Sequence, residues 1–125
     1  MKTVDLVKEY LSNEGFRYEV DSDGDIHFKY EGAHIYYIPD DDDQSYFRLL
    51  MPGIYDLRND RAKVFEAMNA VSAGLKVVKP ILGNDTVHLS IELFLDLSPE
   101  IEDFFPRCLN LLMHARSKFM QEMLQ

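Results

Sequence analysis

The sequence has no tryptophan, a single cysteine and no long apolar run among its 125 residues. One cysteine cannot form an internal disulfide, so stability must come from a packed core, and a reducing compartment is expected. Asp5, Lys8 and Glu9 interrupt the N-terminal segment, which argues against a signal peptide. Because every stretch with few charges is far shorter than the roughly 20 residues of a membrane-spanning helix, we expect a cytoplasmic protein with no membrane partner.

Basic residues are also scarce, since 13 Lys and Arg stand against 22 Asp and Glu, for a net charge of −9. Like charges repel, so this balance argues against binding to a nucleic-acid backbone or to an anionic membrane surface. The excess is local: residues 19–43 hold nine acids and one base, whereas residues 44–125 hold ten acids and nine bases. A partner that approaches the acidic end should therefore be basic there.

Apolar residues make up 46% of the chain, which is too many for a disordered polymer. The length predicts one domain over residues 1–125. Hydrophobic spacing predicts the order helix, three or four strands, helix, two strands, helix. We therefore expect an α+β fold, in which one antiparallel sheet carries three helices largely on one face.

Helix boundaries are predicted from capping residues. The first helix should begin after Thr3 as N-cap and end near Gly15, and the second should run from Asn59 or Asp60 to about Gly74.

The last helix should have Ser98 as N-cap and Pro99 as its first residue. Pro106 lies too deep for a first-turn proline, so a kink or a restart is expected near Phe105.

The strands of the first meander alternate between apolar and polar residues, which is typical of half-buried antiparallel strands. Pairing Val20 with Ile26, Tyr30 with Ala33, and Ile38 with Gln44 gives one consistent core face. That face consists of Tyr18, Phe28, Ile35, Phe47 and Leu49. Pro52 and Gly53 should end the meander.

The second hairpin flanks Gly83-Asn84-Asp85. Pairing Ile81 with Val87 sets Val77 opposite Ile91 and Lys76 opposite Glu92, which would form a cross-strand pair of opposite charge. Pro80 lacks an N–H group, so its strand should lie at a sheet edge or carry a bulge.

The sheet face away from the core combines aromatic, aliphatic and arginine side chains, which are the usual anchors of protein interfaces. It also carries His27, Lys29 and His34. The residues predicted to bind a protein there are Tyr36, Tyr46, Arg48, Leu50, Val78 and Phe94.

Two acidic loops resemble cation sites at first sight. The loop that begins at Asp21 lacks the glycine and the glutamate that a calcium-binding EF-hand needs at its sixth and twelfth positions, which are Ile26 and Gly32 here. The run from Asp40 to Asp43 can attract a divalent cation weakly, but mutual repulsion favours a hydrated loop. We expect no metal site at either loop.

Catalytic chemistry is not indicated by any motif, because no phosphate-binding loop, nucleophile elbow or metalloprotease pattern is present. Cys108 falls on the apolar stripe of the last helix, where a thiol acts as a small hydrophobic group. His27, His34 and His88 lack a cysteine or carboxylate partner at a spacing suited to zinc, so surface histidines are expected. The sequence therefore predicts a protein without catalytic residues, metal or cofactor.

Two segments resemble the bacterial YbjN-like family, whose members are described as sensory transduction regulators. One is Ala67-Met68-Asn69-Ala70-Val71 leading into Lys76-Val77-Val78-Lys79, and the other is Leu93-Phe94-Leu95-Asp96 before Ser98-Pro99-Glu100. The order of elements also resembles the type III secretion chaperone-like fold. The resemblance implies protein binding and homodimers, and it implies no cofactor and no catalytic residue.

Two functions follow from these observations. The first is a non-enzymatic protein-binding module, chaperone-like or regulatory, which binds another protein or peptide and forms a homodimer. The alternative is a small-molecule or metal-responsive sensory domain, which predicts an enclosed pocket or a bound ion.

Overall fold

A computed structural model describes residues 1–125. The first helix and a four-stranded meander are followed by a helix, a hairpin and a long last helix. The elements are α1 (Thr3–Asn13), β1 (Tyr18–Val20), β2 (Ile26–Tyr30), β3 (Ala33–Tyr37), β4 (Tyr46–Asp56), α2 (Arg61–Gly74), β5 (Val78–Gly83), β6 (Thr86–Phe94) and α3 (Ile101–Met123). A short 3₁₀ turn, Leu57–Asn59, joins β4 to α2.

The six strands form one antiparallel sheet in the order β1-β2-β3-β4-β6-β5. The predicted α+β class and element order are therefore confirmed. The helices cover one face, and Phe105 of α3 lies at the centre of the packing, fully buried. Its ring contacts Tyr10 of α1 at 4.6 Å between centroids, Phe47 of β4 at 5.8 Å and Phe28 of β2 at 6.0 Å. None of the helices combines the length and the hydropathy that crossing a membrane requires.

The end of α1 follows the prediction and its start does not. Gly15 has a φ of +81°, its N–H donates to Ser12, and the Phe16 N–H donates to Leu11. This pair of bonds is the Schellman motif that ends many helices. At the start, Lys2 is the N-cap and makes no side-chain bond. Thr3 is inside the helix, where its hydroxyl donates to the Gln44 carbonyl and ties α1 to the strand connection.

The registers predicted for β1, β2 and β3 are confirmed. Tyr18 pairs with Phe28, and Phe28 pairs with Ile35. Tight turns fix these pairings, because Glu31 and Gly32 both adopt positive φ in the two-residue turn between β2 and β3.

The predicted register of β3 and β4 is wrong, because Tyr36 pairs with Leu50 and the Ile38 N–H donates to Arg48. Ile38 therefore lies opposite Arg48 rather than Gln44, a slide of four residues. The cause is a wide connection, in which Asp40 and Asp43 accept bonds from backbone N–H groups two residues further on. An even slide keeps every side chain on its predicted face.

Strand β4 does not end at Pro52 and Gly53 as predicted. It continues to Asp56, and a bulge between Met51 and Tyr55 absorbs the extra residues. Gly53 supplies the positive φ of +67° at this point.

The predicted register of the second hairpin is wrong by one residue. Val78, not Val77, pairs with Ile91, because Asn84 and Asp85 alone form the turn and Gly83 pairs with Thr86. Both turn residues have positive φ, as in the hairpin turn of type I′. Strand β5 lies at the sheet edge, as Pro80 predicts.

Asp60 caps α2, as predicted, and accepts a bond from the Lys63 N–H. The predicted start of α3 is wrong, because Glu100 is the N-cap and Ser98 and Pro99 precede the helix. Helix α3 runs through Pro106 without a restart, so the Glu102 carbonyl lacks the usual N–H partner four residues on.

Candidate interaction surface on the open sheet face

The face of the sheet that the helices leave uncovered is the candidate functional site, and we call it the open face. Cross-strand pairs place Tyr36 beside Leu50, Tyr46 beside Phe94, and Arg48 beside Glu92. Five of the six residues predicted for an interface therefore share one face: Tyr36, Tyr46, Arg48, Leu50 and Phe94.

Val78 is the exception, and its predicted position on the open face is wrong. The one-residue shift of β5 turns its side chain to the core, where it is 3% exposed and pairs with Ile91. Lys79 takes the open-face position opposite Ser90 instead.

The apolar part of the open face centres on Phe94 at the end of β6. Its side chain is 82% exposed, and its ring lies 6.3 Å from that of Tyr46, centroid to centroid. Tyr36, Tyr46 and Leu50 are half-buried. Exposed aromatic side chains of this kind are the usual anchors of protein interfaces.

A polar network fixes the side chains around this anchor. The Tyr46 hydroxyl donates to Glu92, whose other carboxylate oxygen lies 2.5 Å from Lys79 Nζ. Arg48 Nε donates to the hydroxyl of the buried Ser90 at 3.3 Å. Strands β4, β5 and β6 thus each contribute to one connected group of charges and hydroxyls.

The network shifts two pKa values in opposite directions. Burial, followed by the hydrogen bond to Glu92, raises the pKa of Tyr46 to about 12. The ammonium of Lys79, followed by the Tyr46 hydroxyl, lowers the pKa of Glu92. At neutral pH the network therefore holds a neutral phenol and an ionised carboxylate, the forms that its hydrogen bonds require.

Two histidines lie further along the same face. His27 Nε2 and His34 Nδ1 are 2.7 Å apart, and the rings are within 11° of parallel. One nitrogen must donate and the other accept, so these atoms bind each other rather than converge on an ion. His88 is engaged elsewhere, because its Nδ1 accepts the Gly53 N–H at 2.9 Å. The three histidines do not form a ligand set.

The acidic loop that begins at Asp21 has a local role in the fold. Ligand atoms of Asp21, Asp23 and Asp25 lie within 4.8 Å of one another. Asp21 Oδ1, however, accepts the backbone N–H groups of Asp23 and Asp25 and so caps its own turn. Burial and the two neighbouring carboxylates raise the pKa of Asp25.

Cys108 is buried on α3, and burial raises the pKa of its thiol to about 11. A thiol with so high a pKa is almost wholly protonated at neutral pH and is a poor nucleophile.

Sequence reasoning missed three members of the open face: Lys79, Ser90 and Glu92. The register predicted from sequence is one residue off, so it pairs Glu92 with Lys76 instead of Lys79. A two-residue turn at Asn84-Asp85 was the signal that would have identified Lys79.

The solved structures that share this fold include three that differ widely in sequence from this chain. The chain matches an uncharacterized protein of Methanothermobacter thermautotrophicus with a TM-score of 0.70 and 14% identity, over 98% of this chain and 96% of that one. It matches YbjN of E. coli, a proposed transcription regulator, with a TM-score of 0.65 and 11% identity, over 94% and 89%. It matches the Yersinia pestis type III secretion chaperone SycH, solved in complex with a stable fragment of YscM2, with a TM-score of 0.57 and 15% identity, over 96% and 98%.

No family model and no curated protein matches the sequence. The chain therefore has the fold shared by YbjN and the secretion chaperone SycH, as its element order predicted. At these identities the relation is one of fold.

Proposed function

We propose that this protein is a non-enzymatic protein-binding module and that residues 1–125 act as one domain. The observation that carries the proposal is the open face, where a largely exposed Phe94 lies beside half-buried tyrosines and an ordered network of charged groups. Aromatic and arginine side chains contribute most of the binding energy of typical interfaces, and rigid anchors lose little entropy on binding. The fold neighbour SycH was solved with a protein fragment, which supports a protein or peptide as the partner.

The interface in this proposal consists of Tyr36, Tyr46, Arg48, Leu50 and Phe94. We place Phe94 at its centre, because an exposed phenyl ring gains most from burial by a partner. We propose a chaperone-like or regulatory role in the cytoplasm, as a homodimer, and the resemblance to the YbjN-like family supports this part of the proposal. A catalytic role is disfavoured by the protonated Cys108 and by a sequence without catalytic motifs.

Affinity purification from the native cell with two exposure-matched variants tests the proposal. Phe94 is 82% exposed and Leu124, at the end of the chain, is 86% exposed. We expect Phe94→Ser to lose the proteins that the wild type retains, and Leu124→Ser to retain them. Because both side chains are exposed, both variants should keep the wild-type unfolding midpoint. Equal retention by Phe94→Ser and the wild type would exclude the open face as the interface.

A further inference from the structure

A groove lies on the other side of the sheet from the open face, between the connection from α2 to β5 and helix α3. Its volume is about 420 Å³, within the range of small-molecule sites. Its lining is mainly apolar and includes Leu75, Val77, Leu93, Phe104 and Leu111. These side chains leave an apolar trough beside the β5 edge that the protein's own residues do not fill.

The backbone is strained at the wall of this groove. Val77 has a φ of +73°, and the Val78 N–H donates to the Lys76 carbonyl at 2.8 Å, which closes a three-residue γ-turn. A β-branched residue rarely adopts positive φ, and such strain is found mostly at binding and catalytic sites. The strained turn presents the Val77 side chain, 48% exposed, to the groove.

Two cations line the groove, and neither forms an ion pair. Lys76 and Arg107 are exposed, and neither appears in the four salt bridges of the protein. No carboxylate lines the groove. In a protein with a net charge of −9, two unpaired cations beside an apolar trough are complementary to an apolar ligand that carries a negative charge.

The surroundings limit the length and charge of that ligand. From Phe104 to Leu111 the wall of α3 covers two turns, or about 10 Å. Beyond Phe104 the surface opens into a depression lined by Asp96, Glu100 and Asp103. An extended acidic peptide that continued in this direction would meet three carboxylates, whereas a compact ligand with one charge would not.

We propose that this groove binds a small organic monocarboxylate with an apolar body. The carboxylate pairs with Arg107 and Lys76, and the apolar body packs against Val77, Phe104 and Leu111. Arg107 contributes more than Lys76 to the affinity for the carboxylate, because a guanidinium donates two parallel hydrogen bonds to one carboxylate. The groove is separate from the open face. Protein binding at the open face can therefore fail or succeed independently of carboxylate binding at the groove.

Calorimetric titration of the full chain with decanoate, and with decanol as the uncharged match, tests the proposal. We expect one decanoate per chain and at least about tenfold weaker binding of decanol. Amide chemical shifts in an NMR titration should change at residues 76–78 and 107–111. Arg107→Gln should weaken decanoate about three- to tenfold, whereas Lys8→Gln, the same charge change on α1, should leave the affinity unchanged.

Val77→Gly gives a variant that keeps its fold, because glycine readily adopts the φ of this position. We expect it to weaken decanoate without lowering the unfolding midpoint. Equal affinities for decanoate and decanol would overturn the proposal, as would equal effects of Arg107→Gln and Lys8→Gln. The proposal would also be overturned if decanoate failed to bind in the millimolar range. This holds whether or not an acidic peptide binds the groove instead.

Discussion

Replacement of Glu92 by glutamine tests the network that orders the open face. Glu92 accepts from the Tyr46 hydroxyl and lies 2.5 Å from Lys79 Nζ. Glutamine has nearly the same shape and still accepts a hydrogen bond from Tyr46, so Glu92→Gln removes the negative charge and little else. Lys79 is left without its partner, and Tyr46 donates to a neutral oxygen.

The magnitude follows from the exposure of each contact. Lys79 is more than half exposed, and ion pairs of this kind contribute about 0.2–1 kcal/mol. The bond from Tyr46 is shielded on the half-buried side of the network, where the charge of an acceptor adds a few tenths to about 1 kcal/mol. We therefore expect Glu92→Gln to lower the free energy of unfolding by about 1 kcal/mol at neutral pH.

The effect should depend on pH in a definite direction. The pKa of Glu92 is lowered from its ordinary value of 4.5, so the carboxylate stabilises the fold at pH values above 4.5. That contribution disappears as the pH falls through the lowered pKa. The difference between the wild type and Glu92→Gln should therefore shrink toward zero in acid.

Urea-induced unfolding, followed by circular dichroism over a series of pH values, measures both quantities. Glu66→Gln is the control, because Glu66 lies 4.0 Å from Lys63 on the exposed side of α2, and its effect should stay within about 0.5 kcal/mol. Tyr46→Phe completes a double-mutant cycle, in which the coupling to Glu92→Gln should be about 0.5–1 kcal/mol. A destabilisation by Glu92→Gln that is equal at neutral and acid pH would refute the electrostatic reasoning.

Two further predictions concern the core side of the sheet. Pro106→Ala should raise the free energy of unfolding, measured by urea titration, by about 1–2 kcal/mol. Alanine restores the N–H partner that the Glu102 carbonyl lacks, and this gain exceeds the cost of a more flexible unfolded chain. An unchanged or lower free energy of unfolding would contradict the prediction. Burial raises the pKa of Tyr37 from 10.0 to about 12, so the fold favours the neutral phenol. The stability that this preference contributes is complete below pH 10 and is lost as the pH rises through 12. Between these values the free energy of unfolding should fall by about 1.4 kcal/mol per pH unit. Tyr37→Phe should reduce the fall of the thermal midpoint over this alkaline range, and an identical fall in the variant would contradict it.

The accuracy of the predicted registers depended on the turns. Between β2 and β3, Glu31-Gly32 permits only a tight turn, so alternation of apolar residues was enough to align the strands. Between β3 and β4 the residues from Asp40 to Asp43 form side-chain-capped turns, whose length no periodicity encodes. The core face was still predicted correctly, because the slide of four residues preserves the alternation of faces.

An odd shift has the opposite consequence, as the second hairpin demonstrates. A three-residue loop at Gly83-Asn84-Asp85 and a two-residue turn at Asn84-Asp85 differ by one residue in register, and both are compatible with the turn-forming residues present. Burial of Val78 beside Ile91 selects the shorter turn. The positive φ of Val77 has no signal in the sequence, since valine is among the residues least suited to it.

The single-residue shift of β5 affects both candidate surfaces. It turns Lys79 to the open face, where the ammonium pairs with Glu92 and orders the tyrosine beside Phe94. In this register the chain turns sharply at Val77 before β5 begins, and Lys76 lies at the rim of the apolar groove, outside every salt bridge of the protein. In the register expected from sequence, Lys76 would have paired with Glu92, and the groove would have lacked one of its two cations. The register of β5 therefore places one lysine at each surface, Lys79 on the open face and Lys76 at the groove, on opposite sides of the sheet.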